Sequence, residues 1–291
     1  MKEIAIIGGG PSGLFLAKFL PDFYKINIYE KENNILGHYK YSLNQNKNIF
    51  LKILEKPNIT LFRGVKVDNL SALKEETVVL CTGGKPKEEI KNTTSVFDQI
   101  KQWFSGKKLS VPRNICIIGM GNVTMDFLNL IQKDVDSVTV TSRSSLLDAK
   151  FTNDKIRELS NVYNINCFNN DNLLEKPINR ASKSRKRMFE SFVKNEKNPS
   201  LNLWFNTQAT PLDKEKIRLI NNKKSTILDV DKIYSSIGFI PNLNVNLDPF
   251  KKTYMLGWCE DAKGDITDSL TKAKNLATKI SNDFKIKSTK F

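Results

Sequence analysis

The residues of this sequence best suited to chemistry lie in two glycine-rich stretches. In the first, the apolar run 4–7 leads into Gly8, Gly10 and Gly13, spaced as Gly-x-Gly-x-x-Gly, and a second apolar run ends at Glu30. In a strand–turn–helix unit of this kind, the first glycine makes the turn, the second admits a pyrophosphate, and the third lets the helix pack on its strand. The helix N-terminus offers N–H groups to the phosphates, and Glu30 is placed to accept ribose hydroxyls. The stretch predicts dinucleotide binding; the alternative is a glycine-rich loop without a ligand.

The same plan recurs in the middle of the chain. The apolar run 115–118 precedes Gly119-Met120-Gly121-Asn122-Val123-Thr124, in which Thr124 takes the place of the third glycine. The next strand ends in Ser142-Arg143-Ser144 rather than in an acid. An acid there binds the 2′-hydroxyl of NAD, whereas an Arg accommodates the 2′-phosphate of NADP. We therefore expect a second dinucleotide-binding domain that prefers NADP; the alternative is a solvated Arg at a strand end.

Two further strand ends carry residues suited to a cofactor. The apolar run 77–81 ends in Thr82-Gly83-Gly84, a turn against which a flavin or its phosphates often lie in proteins with two dinucleotides. Near the C-terminal end, Gly257-Trp258 precedes a predicted helix and would bring an aromatic ring and backbone N–H groups to a bound cofactor. The alternatives are an ordinary turn and a structural Trp.

Length and composition indicate a water-soluble protein of about two domains. The chain has 291 residues, 40% of them hydrophobic, and no apolar segment approaches the roughly 20 residues that a membrane span needs. The glycines from Gly8 onward interrupt the first apolar run, so we expect a strand there rather than a signal peptide. We therefore expect a soluble protein of the cytoplasm, or of the matrix of a mitochondrion-type organelle, without a targeting segment.

The cysteines exclude several kinds of redox and metal site. Cys81, Cys116, Cys167 and Cys259 are widely separated and form no Cys-x-x-Cys pair. The sequence therefore encodes no zinc ribbon, iron–sulfur cluster or redox dithiol, and we expect buried, reduced thiols. No metal site is predicted.

The charge of the chain indicates an acidic partner. The formal net charge is +15, and a predicted helix between residues 180 and 192 is rich in cations. A small acidic protein and nucleic acid both fit such a surface, and a solvated helix face is the alternative. The cations concerned are Arg180, Lys183, Arg185, Lys186 and Arg187.

Taken in order, the motifs resemble the adrenodoxin-reductase type of ferredoxin–NADP reductase over nearly the whole chain. The motifs are Gly-Gly-Gly-Pro-Ser-Gly from Gly8, Tyr29-Glu30-Lys31, Gly119-Met120-Gly121-Asn122-Val123-x-x-Asp126, Ser142-Arg143, Phe151-Thr152, Arg185-Lys186-Arg187-Met188, Ser235-Ser236-Ile237-Gly238 and Gly257-Trp258. The resemblance implies an α/β fold with two Rossmann-like dinucleotide-binding domains, the NADP domain being inserted into a discontinuous FAD domain. We place the FAD domain at 1–108 and 233–291 and the NADP domain at 109–232.

The resemblance also implies roles for individual residues. The FAD contacts would be Gly8, Gly10, Pro11, Ser12, Gly13, Glu30, Lys31, His38, Leu43, Val65, Thr82, Gly83, Gly257, Trp258, Gly264, Asp265 and Ile266. The NADP contacts would be Gly119, Met120, Gly121, Asn122, Val123, Ser142, Arg143, Ser144 and Lys155. The catalytic positions would be Asp126, Trp258 and Lys47, and the basic helix would dock an acidic 2Fe–2S ferredoxin.

Several positions depart from the family pattern. Ser144 stands where the family has a second consecutive Arg, and Lys155 replaces a carboxylate that helps bind NADP. Lys47 falls at the active-site His, and the family's Gly-Pro-Thr-Gly becomes Ala262-Lys263-Gly264 with one residue fewer. These changes concern NADP and turnover rather than FAD.

The sequence therefore predicts an FAD enzyme that takes electrons from NADPH and passes them singly to a ferredoxin. A flavin subunit of the glutamate-synthase type shares the two-fingerprint plan, but it carries an N-terminal cysteine-rich cluster domain, whereas this fingerprint starts near residue 4. The rival hypothesis is a degenerate flavoprotein that keeps FAD and uses a basic surface for binding, with little or no reductase activity. No recognised nucleic-acid motif supports that rival.

Overall fold

A computed structural model of the chain describes residues 2–43, 48–169, 179–192, 199–221 and 224–288. Its strands, in chain order, are β1 Lys2–Ile7, β2 Tyr24–Glu30, β3 Ile59–Arg63, β4 Thr77–Leu80, β5 Gly84–Pro86, β6 Thr94–Ser95, β7 Asn114–Ile118, β8 Ser137–Thr141, β9 Asn164–Phe168, β10 Ser200–Trp204, β11 Gln208–Pro211, β12 Lys216–Asn221, β13 Lys224–Asp229, β14 Lys232–Ser235, β15 Phe239–Pro241 and β16 Lys252–Met255. The α-helices are α1 Pro11–Phe19, α2 Asn48–Leu54, α3 Val96–Phe104, α4 Asn122–Ile131, α5 Asn153–Ser160, α6 Arg180–Ser191, α7 Trp258–Asp261 and α8 Ile266–Ser288.

The chain divides into two compact units, and the first is built from both ends of the sequence. It comprises Met1–Pro86 and Phe239–Phe291. Its main sheet is parallel, with strand order β16-β4-β1-β2-β3. Strands β1 and β4 are apolar runs because side chains on both of their faces are buried.

The core of the first unit lies on both faces of this sheet. On one face, Ile4 and Ile6 pack with Leu14 of α1 and with Ala277 and Ile280 of α8. On the other face, a smaller cluster includes Ala5, Val78, Leu80 and Cys259. The two faces together hold β1 in the centre of the sheet, and β1 leads directly into the first glycine-rich turn.

The second unit, Lys87–Gly238, has its own parallel sheet with strand order β6-β14-β7-β8-β10-β9. The hairpin strands β11, β12 and β13 form a small antiparallel sheet in the same unit. Side chains of β7 and β12 share a hydrophobic cluster that includes Cys116, Ile118, Ile217 and Leu219. The predicted α/β fold with two Rossmann-like units, one inserted into the other, is therefore confirmed.

The structure moves both predicted domain boundaries. The sequence placed them after residues 108 and 232, whereas the two units divide after 86 and 238. The strand β14 pairs with the central strand β7 and with β6, so residues 232–235 belong to the second unit. Helix α3 contacts α4, which brings residues 96–104 into that unit as well. The chain crosses between the units at β5 and β15, which pair antiparallel within the first unit.

The four cysteines are free thiols, and Cys81, Cys116 and Cys259 are buried. Burial raises the pKa of the Cys116 thiol to about 12, so it stays protonated and unreactive near neutral pH. Among the described residues, no helix is both long and apolar enough to cross a membrane.

Candidate functional site

The glycines of the first fingerprint are required for two different reasons. Gly8 has φ +116°, and a Cβ there would lie 2.2 Å from the carbonyl oxygen of Cys81. A Cβ at Gly13 would lie 2.3 Å from the carbonyl oxygen of Gly8, so the close packing of α1 on β1 excludes a side chain. A Cβ at Gly10, in contrast, would meet no atom of the other described residues within 4 Å. The chain itself leaves room at Gly10, which is the position expected to face a pyrophosphate.

The N-terminus of α1 is open to an anion. Gly10 is its N-cap and supplies no side-chain cap, Pro11 occupies the first turn, and that turn contains no acid. The first N–H groups of a helix have no partner within the helix, and they carry the positive end of its dipole. Ser12 and Gly13 therefore present N–H groups in an environment that favours phosphate.

Glu30 is fixed beside the glycine turn. Its side chain is buried, and its carboxylate accepts hydrogen bonds from the backbone N–H of Gly9 at 2.8 Å and of Glu32 at 2.9 Å. Each carboxylate oxygen keeps a further lone pair for a ribose hydroxyl. The exposed Val65 is held here because its N–H donates to the carbonyl of Glu30 at 2.9 Å, and Lys31 is exposed at the same strand end.

A short 3₁₀ helix, Gly37–Tyr41, follows the turn and carries His38. The N–H of Leu36 donates to the carbonyl of Gly9 at 2.8 Å, which fixes this segment against the fingerprint. Nε2 of His38 lies 2.7 Å from the carbonyl oxygen of Gly84, so it is the protonated nitrogen of the ring in this contact. Leu43 is half-buried two residues beyond the 3₁₀ helix.

Three rings of the first unit form a continuous aromatic cluster. The rings of His38 and Phe239 have centroids 5.0 Å apart, and those of Phe239 and Trp258 are 4.9 Å apart. A Cβ at Gly84 would lie 3.3 Å from the Trp258 ring and 3.1 Å from the carbonyl oxygen of Ile240, so little room is left for a side chain beside the ring. The indole N–H of Trp258 donates to the carbonyl of Gly264 at 3.0 Å. The cluster offers an apolar surface suited to a planar ring system.

The turn after β4 is fixed by hydrogen bonds to Asn242, a residue from the C-terminal part of the chain. The hydroxyl of Thr82 donates to the carbonyl of Asn242, whose N–H donates to the carbonyl of Gly83 at 3.1 Å. Gly83 has φ +73°, and a Cβ there would meet nothing within 4 Å. Gly83 therefore resembles Gly10 in leaving free space where a ligand is expected.

In the C-terminal part of the chain, Gly257 packs closely against Ser12 in the first turn of α1. Gly257 has φ +82°, and a Cβ there would lie 2.2 Å from the hydroxyl oxygen of Ser12. Asp265 caps α8 by accepting from the N–H groups of Thr267 at 2.8 Å and Asp268 at 3.1 Å. Of the other predicted contacts in this turn, Gly264 is exposed and Ile266 is half-buried.

The second fingerprint repeats this arrangement in the second unit. A Cβ at Gly119 would lie 2.2 Å from the carbonyl oxygen of Ser236, whereas one at Gly121 would meet nothing within 4 Å. Gly121 is the N-cap of α4 and provides no side-chain cap. Thr124, in place of the third glycine, donates its hydroxyl to the carbonyl of Gly119 at 2.8 Å. In the same turn Met120 is buried and Val123 is half-buried.

The segment after β8 carries the residues predicted to bind the 2′-phosphate. Its backbone is fixed by hydrogen bonds to β10 and to the residues that follow β10. The N–H of Ser142 donates to the carbonyl of Trp204 at 2.8 Å, and the N–H of Asn206 donates to the carbonyl of Ser144 at 3.1 Å. The hydroxyl of Ser142 accepts from the N–H of Ser144 at 3.0 Å. The side chain of Arg143 is exposed between these anchors and is available to an anion.

Asp126 and Lys155 form a buried ion pair between α4 and α5. The Lys155 ammonium contacts Oδ1 of Asp126, and the side chains of Asp126 and Lys155 are only 8% and 12% exposed. The sequence assigned catalysis to Asp126 and an NADP contact to Lys155, and both roles stay predictions. The third catalytic position, Lys47, lies outside the described residues.

The predicted partner helix is α6, and its cations have unequal exposure. Arg180, Lys183 and Arg187 are exposed, and Lys186 is half-buried. Arg185 is 7% exposed and its guanidinium is engaged within the unit, so the prediction that it contacts a partner is wrong. The sequence could not show this, because a basic run on a helix does not reveal which cation faces inward.

Sequence reasoning also missed residues that shape the site. Phe239 and Asn242 lie in a strand and turn with no motif of their own. Oδ1 of Asn122 accepts from the N–H of Thr152 at 2.9 Å, and the expected contact of Asn122 with NADP stays a prediction. These are long-range contacts, and the spacing of residues along the chain contains no signal for them.

Comparisons with known proteins agree with this architecture. No protein-family model matches the chain. A probable mitochondrial NADPH:adrenodoxin oxidoreductase of Dictyostelium discoideum is 26% identical over 278 residues, which cover 72% of this chain and 54% of the relative. The chain thus spans about half the length of this curated relative.

Solved structures share the fold. Mycobacterium tuberculosis FprA in complex with NADPH superposes with a TM-score of 0.78 at 17% identity, covering 99% of this chain and 86% of that one. Thioredoxin reductase of T. acidophilum gives a TM-score of 0.59 at 13% identity, covering 97% of this chain and 99% of that one. The sequence similarity thus agrees with the resemblance to the adrenodoxin-reductase type, and the solved structures show the same two-domain Rossmann-type fold.

Proposed function

We propose that the protein is an FAD-dependent reductase that transfers electrons from NADPH to a ferredoxin-type iron–sulfur protein. The observation that carries this proposal is the presence, in each unit, of a fingerprint whose middle glycine faces open space at an uncapped helix N-terminus. The names of the relatives support the same activity, since one is an NADPH:adrenodoxin oxidoreductase and the other was solved with NADPH.

The residues of the first unit fit FAD. The open space at Gly10 and the N–H groups of Ser12 and Gly13 suit its pyrophosphate, and Glu30 suits the adenosine ribose. The aromatic cluster and the open turn at Gly83 suit the isoalloxazine. Bound there, FAD would supply the conversion between a two-electron hydride donor and a one-electron acceptor.

The protein's own residues would orient the flavin and limit access of water. Trp258 is held by its bond to Gly264, and His38 by its bond to Gly84, so the rings on either side of Phe239 are fixed in place. Rings held in this way would exclude water from one side of a flavin. The proton on Nε2 of His38 is committed to the Gly84 carbonyl, which makes His38 a positioning group in this state.

The residues of the second unit fit NADP. Gly121 leaves room for the pyrophosphate at the start of α4, and Arg143 is exposed at the end of β8 beside the hydroxyls of Ser142 and Ser144. A guanidinium is a planar fork that matches phosphate oxygens, so the 2′-phosphate is the group that this strand end favours.

The partner proposed is an acidic 2Fe–2S ferredoxin. Exposed Arg180, Lys183 and Arg187 on α6 supply a cationic surface in a chain of net charge +15. Opposite charge on the partner would steer its approach and raise the association rate. The compartment, cytoplasm or the matrix of a mitochondrion-type organelle, stays a prediction.

The deciding experiment mixes the purified protein anaerobically with NADPH, and separately with NADH, while the absorbance of bound flavin is followed. We expect faster bleaching by NADPH, and recovery of the flavin absorbance when an oxidised 2Fe–2S ferredoxin is added. Bound flavin that neither nucleotide reduces, together with salt-sensitive binding to duplex nucleic acid, would instead favour a flavoprotein with a basic interaction surface. Protein that binds no flavin would contradict both functions.

Nucleotide preference is tested by Arg143→Ala. Loss of one charge-assisted contact to the 2′-phosphate should raise the KM for NADPH by about 10- to 100-fold and leave the KM for NADH nearly unchanged. Steady-state kinetics with the two nucleotides measures this. Equal changes for both would show that Arg143 does not contact the 2′-phosphate.

A further inference from the structure

We infer that Arg185 is a positioning residue of the NADP site, acting through the loop 145–153 that joins the two halves of that site. The inference rests on the proposed function of the second unit. It assigns to Arg185 a role different from the partner contact that the sequence indicated.

The guanidinium of Arg185 is the centre around which this loop is arranged. It donates to four backbone carbonyls, those of Leu146 at 3.2 Å, Leu147 at 3.1 Å, Ala149 at 2.9 Å and Phe151 at 2.8 Å. Its Nε–H donates to Oδ1 of Asn153 at 3.0 Å. The guanidinium carbon also lies 4.8 Å from the centroid of the Phe151 ring.

The geometry of these contacts requires an arginine. Carbonyls from residues 146 to 151 converge on one buried point, and a guanidinium presents N–H donors in a planar fork, whereas an ammonium is a compact point charge. A buried carbonyl left without a donor is costly, so loss of Arg185 would release the loop rather than leave its conformation unchanged. Burial lowers the pKa of Arg185, and nearby Asp148 opposes this shift.

One end of the loop begins at the predicted 2′-phosphate residues. Ser142 and Ser144 are anchored by backbone bonds to Trp204 and Asn206, and Leu146 follows after Ser145. Arg143 is therefore flanked on both sides by anchors to β10 and the residues after it. The contacts of Arg185 begin two residues beyond Ser144, at the carbonyl of Leu146.

The other end of the loop returns to the fingerprint turn. Lys150 forms a parallel bridge with Gly121, and the N–H of Thr152 donates to Oδ1 of Asn122 at 2.9 Å. The loop therefore connects the residues proposed for the 2′-phosphate with those proposed for the pyrophosphate. Arg185 contacts the carbonyls between these two ends and would fix the distance at which both phosphates are bound together.

The test compares Arg185→Met and Arg185→Lys with the wild type, and uses Arg157→Met as the matched control. Arg157 is exposed in the same unit, and its guanidinium pairs with Asp154 rather than with the loop carbonyls. Binding of 2′,5′-ADP and 5′-AMP, which differ only by the 2′-phosphate, to the flavin-loaded protein is measured by calorimetry, and folding is checked by thermal unfolding. The ratio used here is the dissociation constant of the nucleotide without the 2′-phosphate divided by that of 2′,5′-ADP. It reports how much the 2′-phosphate strengthens binding.

We expect Arg185→Met to reduce that ratio by about 10-fold, because misplacing a phosphate contact removes most of its benefit. Arg185→Lys should give an intermediate ratio, and Arg157→Met should match the wild type. A purely structural role would lower the unfolding midpoint without changing the ratio in the folded protein.

A folded Arg185→Met variant with the wild-type ratio would overturn the inference. If this variant does not fold, Arg185→Lys decides the question in the same way, since an unchanged ratio overturns the inference and a reduced ratio supports it. Wild-type protein that binds 2′,5′-ADP no better than 5′-AMP would instead overturn the proposed NADP site, and the inference with it.

Discussion

In each fingerprint, contacts among the described residues leave room for a side chain at the middle glycine. Gly8 and Gly119 lie at positive φ with a carbonyl where a Cβ would stand, so their identity is explained by folding alone. Gly10 and Gly121 have φ of −78° and −112° in extended conformations that alanine adopts readily. Among the described residues, nothing beyond their immediate neighbours would lie within 4 Å of a Cβ at either position, so these two positions separate the binding of ligand from folding.

We therefore predict that Gly10→Ala and Gly121→Ala fold as well as the wild type but each lose one cofactor. In Gly10→Ala the added methyl group occupies the space for the FAD pyrophosphate, so flavin content should fall by more than about 10-fold. Gly121→Ala should keep its flavin and lose affinity for 2′,5′-ADP. Absorbance of bound flavin, calorimetry and thermal unfolding measure these effects, and each variant is the control for the other. Full flavin content in Gly10→Ala would refute the proposed pyrophosphate position.

At the scale of elements, the ion pair between Asp126 and Lys155 ties α4 to α5 where both helices begin near the loop 145–153. Both side chains are largely buried, so removing one partner takes away a direct contact that offsets the cost of burying the other charge. Asp126→Leu or Lys155→Met should lower the free energy of unfolding by about 3–5 kcal/mol. The double variant Asp126→Leu/Lys155→Met should recover most of this loss.

Urea unfolding of the two single variants and the double variant measures the coupling between these residues. Arg157→Met, on the exposed side of α5, controls for general effects on the helix and should change the free energy of unfolding by less than about 0.5 kcal/mol. Additive losses in the double variant would show that the two groups do not act as a pair.

The elements of the two units could be predicted from sequence because each rests on a local pattern. The apolar runs at 4–7 and 115–118, followed by glycines, predict strand, turn and helix without knowledge of the rest of the chain. The domain boundaries could not be placed in the same way, because β14 joins the second sheet through pairing with β7, a strand far away in sequence. The same limit applies to Arg185, since only the folded loop 145–153 shows where its guanidinium points.

At the scale of the whole molecule, the net charge of +15 predicts how the proposed reductase should respond to salt. For an acidic ferredoxin, kcat/KM should fall by about 10-fold or more between low and high ionic strength, because screening weakens steering. For a small uncharged electron acceptor, kcat/KM should stay nearly constant.

The Lys183→Glu variant should have a kcat/KM for ferredoxin well below that of the Lys274→Glu variant. The second substitution makes the same change in net charge at an exposed position of α8. Equal losses in the two variants would mean that overall charge, rather than the surface of α6, attracts the partner.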